Sequence, residues 1–291
     1  DRRRGSVYRL IETALKFGIV SLGGLTIPLN AQERVISLDY CADQYVLALA
    51  ERQNIVAVSP SADSEYSYLA SRSSGLAQIR PSGEEVLFSR PDLVVRQWGG
   101  GFGATAYLAR FSTNIAQVLF GANLEIAAVN LGSIGASLGE SEKAQKLIEE
   151  LKDRLTRVRA PLEPQSELPR AIYVTPGGLT TGADTFVHEV MIAAGVINMA
   201  ADGGQRGWRE LNLEAIALDP PDLVIAAFFD LRSARVNHWS VARHKFLREV
   251  MEKTPTVMLP AAQLACSAWF FMDAVESIYE AAQKIRVKGG G

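Results

Sequence analysis

The chain is expected to fold as an α/β protein of two similar lobes joined by a single long helix, with a ligand cleft between them. Two stretches 130 positions apart are near-copies. Glu84-Glu85-Val86-Leu87-Phe88-Ser89-Arg90-Pro91-Asp92-Leu93-Val94-Val95 matches Glu214-Ala215-Ile216-Ala217-Leu218-Asp219-Pro220-Pro221-Asp222-Leu223-Val224-Ile225. A second echo sets Arg34-Val35-Ile36-Ser37 against Arg170-Ala171-Ile172-Tyr173, at an offset of 136. A chain that repeats itself once over about half its length reads as two copies of one structural unit. Clefts between such units are where small ligands bind. Short β-branched runs also alternate with helical patterns in both halves, which indicates parallel sheets with crossover helices.

The elements follow in order. Arg34 to Leu38 reads as a short buried strand. Asp39 or Asp43 caps a helix whose apolar positions Tyr45, Val46, Leu49 and Ala50 recur at helical spacing. Ile55 to Val58 is a strand ended by Ser59-Pro60, and a polar loop with Tyr66 and Tyr68 follows. Glu84 to Ser89 is a short helix that stops before Pro91, because proline cannot continue it. Leu93 to Val95 is a strand, Gly99 to Gly103 a flexible turn, Ala104 to Leu119 a helix and Leu124 to Val129 a strand. The second half predicts strands at Ala171–Val174, Leu223–Ala227 and Thr256–Leu259. Helices are predicted at Thr185–Ala194, Leu211–Leu218, Phe246–Lys253 and Ser267–Ile285. Between the halves, Ala144, Leu147, Ile148, Leu151, Leu155 and Val158 form one helical stripe, broken only at Pro161-Leu162-Glu163-Pro164. The expected division is a first lobe over 33–136, a linking helix over 137–164 and a second lobe over 165–288.

At 291 residues the chain is long enough for two domains, and 48% hydrophobic with 21% charged residues describes an ordinary globular protein. A formal net charge of −2 gives no electrostatic reason to expect nucleic acid. Arg2 to Arg9 is a basic segment before an apolar run, Phe17 to Leu29, and Leu29-Asn30-Ala31 supplies a small residue for cleavage. This reads as an export signal over 1–31. Cys41 follows Leu38-Asp39-Tyr40, which is not a lipidation pattern, so an exported, soluble periplasmic protein is expected. Two cysteines do not make a disulfide scaffold.

In open α/β sheets ligands bind beyond the carboxyl ends of the strands. The turns there carry Tyr40 and Cys41, Trp98 and Gly99, Gly177 and Gly178, and Phe228 with Phe229 and Asp230. Trp98 and Phe228 are repeat-equivalent, and paired rings at matching lobe edges suit a flat macrocycle. The alternative for both is a core residue capping its own sheet. Trp208 and Trp269 are further candidates, as are Arg96 and Arg206 for polar contacts. For Cys41 and Cys266 three readings stand: a disulfide across the cleft, soft metal ligands, or two small buried residues. His188, His238 and His244 have no ligand spacing, and no metal site or cofactor is expected.

The ensemble of Arg34-Val35-Ile36-Ser37-Leu38, Pro91-Asp92-Leu93-Val94-Val95 leading to Trp98-Gly99-Gly100, the linking helix, and Gly207-Trp208 before Glu214 resembles the Fe/B12 periplasmic-binding family. The run Cys41-Ala42-Asp43-Gln44 looks like a subgroup of it. These are the substrate-binding proteins of ABC importers for cobalamin, ferric siderophores and haem, and the resemblance spans about Glu33 to Lys284. It implies two Rossmann-like lobes, a backbone helix and no catalysis. It places aromatic residues in the cleft at Trp98 and Trp208. It also implies a surface glutamate on each lobe that docks on the membrane permease. Glu214 matches one of these; internal symmetry makes Glu84 its equivalent, whereas the family's first-lobe acid falls nearer Ala104, where this chain has no acid. The expected partners are a small-molecule metal chelate, with a corrinoid slightly favoured over a ferric siderophore, and an ABC permease with its ATPase; a monomer is expected. In a haem reader Tyr40 would be a candidate axial ligand.

Two other functions compete. Gly99-x-Gly101-x-x-Ala104 after a strand looks like a dinucleotide fingerprint, which would make the chain an NAD(P)-dependent oxidoreductase. Against this, the run follows a later strand, and the next strand lacks an acid for the ribose. The other is a non-catalytic structural protein that uses its lobes for protein contacts.

Overall fold

The computed structural model describes residues 34–101, 103–111, 113–159, 168–229 and 245–289. The expectations concerning the export signal, the Pro161–Pro164 break, Asp230, His238 and His244 lie outside the described residues.

Val35–Ser37 (β1) is fully buried and leads through Asp39 into Tyr40–Leu49 (α1), whose first turn is capped when Asp39 accepts from the Ala42 N–H. Ile55–Ala57 (β2) returns beside β1. Gly83–Phe88 (α2) precedes Leu93–Arg96 (β3), and Ala104–Ala109 (α3) precedes Asn114–Gln117 (β4). All pairings are parallel and the order is β2-β1-β3-β4. Glu125–Ser137 (α4) and Ser141–Arg159 (α5) follow. The second sheet then starts at Arg170–Val174 (β5), after which Leu179–Thr181 (β6) leads to Phe186–Ala193 (α6), Ile197–Asn198 (β7) and Met199–Asp202 (α7). Trp208–Glu210 (β8) pairs antiparallel with β6, and Leu213–Leu218 (α8) precedes Leu223–Ala227 (β9). Lys245–Lys253 (α9), Thr256–Leu259 (β10), Ala261–Leu264 (α10) and Phe271–Gly289 (α11) complete the chain. The order β10-β9-β5-β7 is again parallel throughout. Counted within its own half, each sheet runs second, first, third, fourth, so the sequence repeat is a repeat of topology. The repeated segments, α2–β3 and α8–β9, supply the third strand of each sheet.

Two sequence expectations are corrected. Ala104 to Leu119 is not one helix: α3 ends at Ala109, and Asn114–Gln117 is a strand on the sheet edge. With β3 on one side only and half its residues in solvent, this strand needs little apolar patterning. Leu124 to Val129 is not a strand but the start of α4. Its buried face meets two cores in turn, while Glu125, Val129, Ser133, Ala136 and Ser137 are exposed. Leu124 and Ala127 pack into the second lobe, and Leu131 and Ile134 into the first.

The long helix expected over the linking region forms as α5, and it crosses in the opposite sense. Ala144, Leu147 and Ile148 meet the first core, while Leu151, Leu155 and Val158 meet the second. The reversal between α4 and α5 uses Gly139 at φ +69°. Gly135 lets the two helices close, since a Cβ there would lie 2.4 Å from that of Ala144. A third crossing returns late in the chain: Cys266, Ala268 and Phe270 are part of the first core, and Phe271 onward part of the second. Tyr68 stacks on Phe270 with centroids 4.4 Å apart and hydrogen-bonds Asp273. Arg154 of α5 forks between Asp273 at 2.7 Å and Glu276 at 2.6 Å on α11. Connections this many and this well packed leave room only for small hinge motions.

Candidate functional site

At the carboxyl edge of the first sheet, Tyr40, Tyr66 and Trp98 form one aromatic cluster. The Tyr40 ring stacks on Tyr66 at 5.5 Å and meets Trp98 edge-on at 5.0 Å. Trp98 is 46% exposed, so a large apolar face remains open. Its loop is built from buried charges. Asp39 Oδ2 accepts from the N–H groups of Gln97, Trp98 and Gly99 at 2.7, 3.0 and 3.0 Å. The Arg96 guanidinium donates to the carbonyls of Gly99, Trp98 and Gly101 and to the Thr105 hydroxyl. Arg96 is therefore engaged within the loop, not offered to a ligand. Gly99 is obligatory for packing: a Cβ there would lie 2.3 Å from the Leu38 carbonyl oxygen. A dinucleotide loop needs free amides for phosphate, but those of Trp98 and Gly99 are taken by Asp39. Burial raises the Tyr40 pKa, with Tyr66 and Asp39 adding to it.

The second sheet's edge is built differently. Gly178, at φ +78°, donates its N–H to the Thr175 carbonyl and closes the turn from β5 to β6. Trp208, also 46% exposed, stands on β8 with its ring edge-on to Tyr173 at 5.8 Å. Phe228 leaves β9 at φ +66° and leans on the second core, so its sequence equivalence to Trp98 does not extend to exposure. Arg206 is ion-paired with Asp184 at the surface.

The two edges are brought together by covalent bonding. Cys41, in the first turn of α1, is disulfide-bonded to Cys266, just beyond α10; their Cα atoms are 5.6 Å apart and both are buried. This decides among the three readings of the cysteines: neither sulfur is a thiolate ligand or lies open to the cleft. Ser267 donates to the Gly121 carbonyl beyond β4, and Trp269 packs on both cores, against Tyr45 at 5.2 Å and Phe270 at 5.3 Å. The carboxyl edges of both sheets thus face common ground, floored by Cys266–Trp269.

Two aromatic residues there escaped the sequence reading. Tyr66 sits in a loop whose polarity hid it, and Phe120, largely exposed, follows β4 next to Gly121. His188 belongs to α6 and contacts Asn198 at 3.2 Å. Among the described residues no group of three or more His, Cys, Asp or Glu is placed to hold a metal ion, and no helix is long and apolar enough to cross a membrane. Glu84 and Glu214 are exposed in the first turns of α2 and α8, helices capped by Ser82 and Asn212.

Two parallel sheets of the same order, tied by crossing helices and sharing a cleft, define a two-lobed binding protein. The chain belongs to the periplasmic binding protein family, whose pattern matches residues 35–263. It is 27% identical over 198 residues to the cobalamin-binding proteins of two Halobacterium salinarum strains, covering 66% of this chain and 53% of theirs. The chain thus spans about half the length of these curated relatives. Among solved structures it is similar to the periplasmic heme-binding protein RhuT from Roseiflexus sp. RS-1, with a TM-score of 0.66 at 21% identity over 86% of this chain and 99% of that one. The periplasmic vitamin B12 binding protein BtuF of Vibrio cholerae gives 0.62 at 21% identity over 87% and 98%. At these identities the two structures speak for the fold.

Proposed function

We propose that the protein captures a corrinoid in the cleft between its lobes and delivers it to an ABC importer. The observation that carries this is that Trp98, held in its loop on the first lobe, and Trp208, on the second, are each 46% exposed. Two apolar walls suit the flat faces of a macrocycle, which brings its own metal. The cobalamin-binding relatives support the same class. The lobes stand as 33–136 and 165–288 about the linking segment, with residues 266–270 crossing back, and Tyr40, Trp98, Gly99, Gly178, Trp208, Phe228 and Trp269 bordering the cleft. Because the lobes are tied in three places, little protein has to be ordered on binding.

Thermal-shift assays with cyanocobalamin, cobinamide, haemin, a ferric hydroxamate siderophore and NAD test the proposal. A true ligand raises the melting temperature by mass action. A corrinoid-dependent rise is expected. A rise with haemin or siderophore alone would replace the corrinoid, a rise with NAD would favour the oxidoreductase, and no rise at all would refute ligand capture.

A further inference from the structure

Phe88 and Leu218 are 90% and 88% exposed. They occupy the same place in the repeat, 130 positions apart, each as the last residue of its helix: α2 spans Gly83–Phe88 and α8 spans Leu213–Leu218. Each lies four residues after an exposed glutamate, Glu84 or Glu214, so acid and apolar side chain share one helical face. The neighbouring acids are already engaged, Glu85 with Arg80 and Asp219 with Arg170, whereas Glu84 and Glu214 form no ion pair with any described residue. Beside each helix is an open recess, of about 370 Å³ against Glu84 and Tyr107 in the first lobe and about 480 Å³ against Ala215 and Ile216 in the second. A single exposed Leu or Phe needs no explanation. The same exposure at both copies of one position, each beside a free acid, does.

Resting on the importer reading above, we infer that Phe88 and Leu218 are paired apolar anchors by which the protein seats on a two-fold permease. Each anchor buries its side chain in an apolar recess of one permease subunit, and the adjacent Glu84 or Glu214 meets a basic residue on the rim of that recess. Two equal patches on a duplicated body match a partner that offers two equal sites. A basic rim around an apolar recess is the complement of an acid beside an exposed ring or isobutyl group. In this arrangement the acids steer and set register, and the anchors hold.

The test uses the full protein and the permease–ATPase assembly of the same organism's cobalamin importer in lipid nanodiscs, read by surface plasmon resonance. Phe88→Ser and Leu218→Ser are each expected to weaken docking roughly tenfold, and together by more, mainly through faster release. The loss should persist at raised ionic strength, whereas that of Glu84→Gln and Glu214→Gln should fade there. Phe88→Leu should retain most of the affinity. Because both positions are at the surface, melting temperature and corrinoid affinity should not change. A double variant that docks within about twofold of wild type overturns the anchors while leaving the importer reading intact. A wild-type protein that does not dock overturns that reading and the anchors with it. Loss of self-association in sedimentation, with docking unchanged, would make a second copy of the chain the occupant and also overturn the proposal.

Discussion

Asp39 and Arg96 hold the Trp98 loop by opposite ends of its peptide dipoles. The carboxylate takes three successive N–H groups, Gln97 to Gly99, and the guanidinium takes the carbonyls of Trp98, Gly99 and Gly101. The positions related by the repeat, Thr175 and Ala226, carry neither charge. One wall of the cleft is therefore locked by a pair of buried ions, and the other rests on a glycine turn and on Phe228. A locked aromatic wall costs little entropy when a ligand docks against it.

Asp39→Ala removes this lock and the cap of α1 together. Three loop amides and one helix amide lose their acceptor, those of Gly99 and Ala42 in a fully buried setting. At about 1 kcal/mol for each of the four abandoned groups, the loss of stability should be ~4 kcal/mol. Urea unfolding measures it. A loss below about 1 kcal/mol would show that the loop finds other partners and that the carboxylate is not what holds it.

Trp98→Ala separates binding from folding. The ring is nearly half exposed and meets Tyr40 edge-on, so stability should fall by no more than ~1 kcal/mol. Affinity for cyanocobalamin should fall at least about tenfold, because an aromatic face against a macrocycle is the kind of contact that dominates binding. Isothermal titration of both proteins decides it, and unchanged affinity removes Trp98 from the site.

The Cys41–Cys266 disulfide closes a loop of 225 residues, nearly the whole described chain. In the chain-entropy account a loop of this size contributes at most about 5.4 kcal/mol. The paired substitution Cys41→Ser with Cys266→Ser should therefore lower the melting temperature by roughly 10 °C. Corrinoid affinity should fall as well, since the bond also joins the two edges of the cleft. Mild reductant should leave the wild type unaffected, the sulfurs being buried. If calorimetry gave the same melting curve for wild type and variant, the bond would have no role in holding the lobes together.

The duplication was legible in the sequence because α2–β3 and α8–β9 keep both their spacing and their Pro-Asp-Leu-Val join. That carried the reading to two similar lobes, and the alternation of strands and helices carried it to a parallel sheet in each. Helix α4 was not legible. Gly132 and Gly135 lower its helix propensity, and Val129 and Ala136 on its exposed face blur the polar stripe that marks a helix. Edge strand β4 escaped because four half-exposed residues carry almost no pattern. In the candidate site, Trp98 was legible as an aromatic residue beside glycines, and Trp208 through the family resemblance. The Asp39–Arg96 lock did not, since nothing local joins Asp39 to residues 97–99. Arg96 read as a ligand contact because a charge near a cleft looks the same whether it faces outward or into its own loop. Two cysteines far apart say nothing of their distance in space until the third crossing is known.

Asp43 supplies a test of the first lobe's interior. Its carboxyl is buried under α1, where it accepts from the Ser37 hydroxyl and from the Ser59 N–H and hydroxyl at 3.0 and 2.6 Å. Burial outweighs these hydrogen bonds and raises its pKa to about 6, with nearby Asp39 adding to the effect. Between about pH 4 and 6 the folded chain holds a proton that the unfolded chain has released, so this group makes stability fall as pH rises through that window. The span is about two units, worth at most ~3 kcal/mol. Asp43→Asn removes the titration, so wild type should gain stability relative to the variant as pH is lowered from about 7 to about 5. Denaturant unfolding of both proteins across that range reads the difference directly. A difference independent of pH would mean that the carboxylate stays ionised inside the fold, its three donors having overcome burial after all.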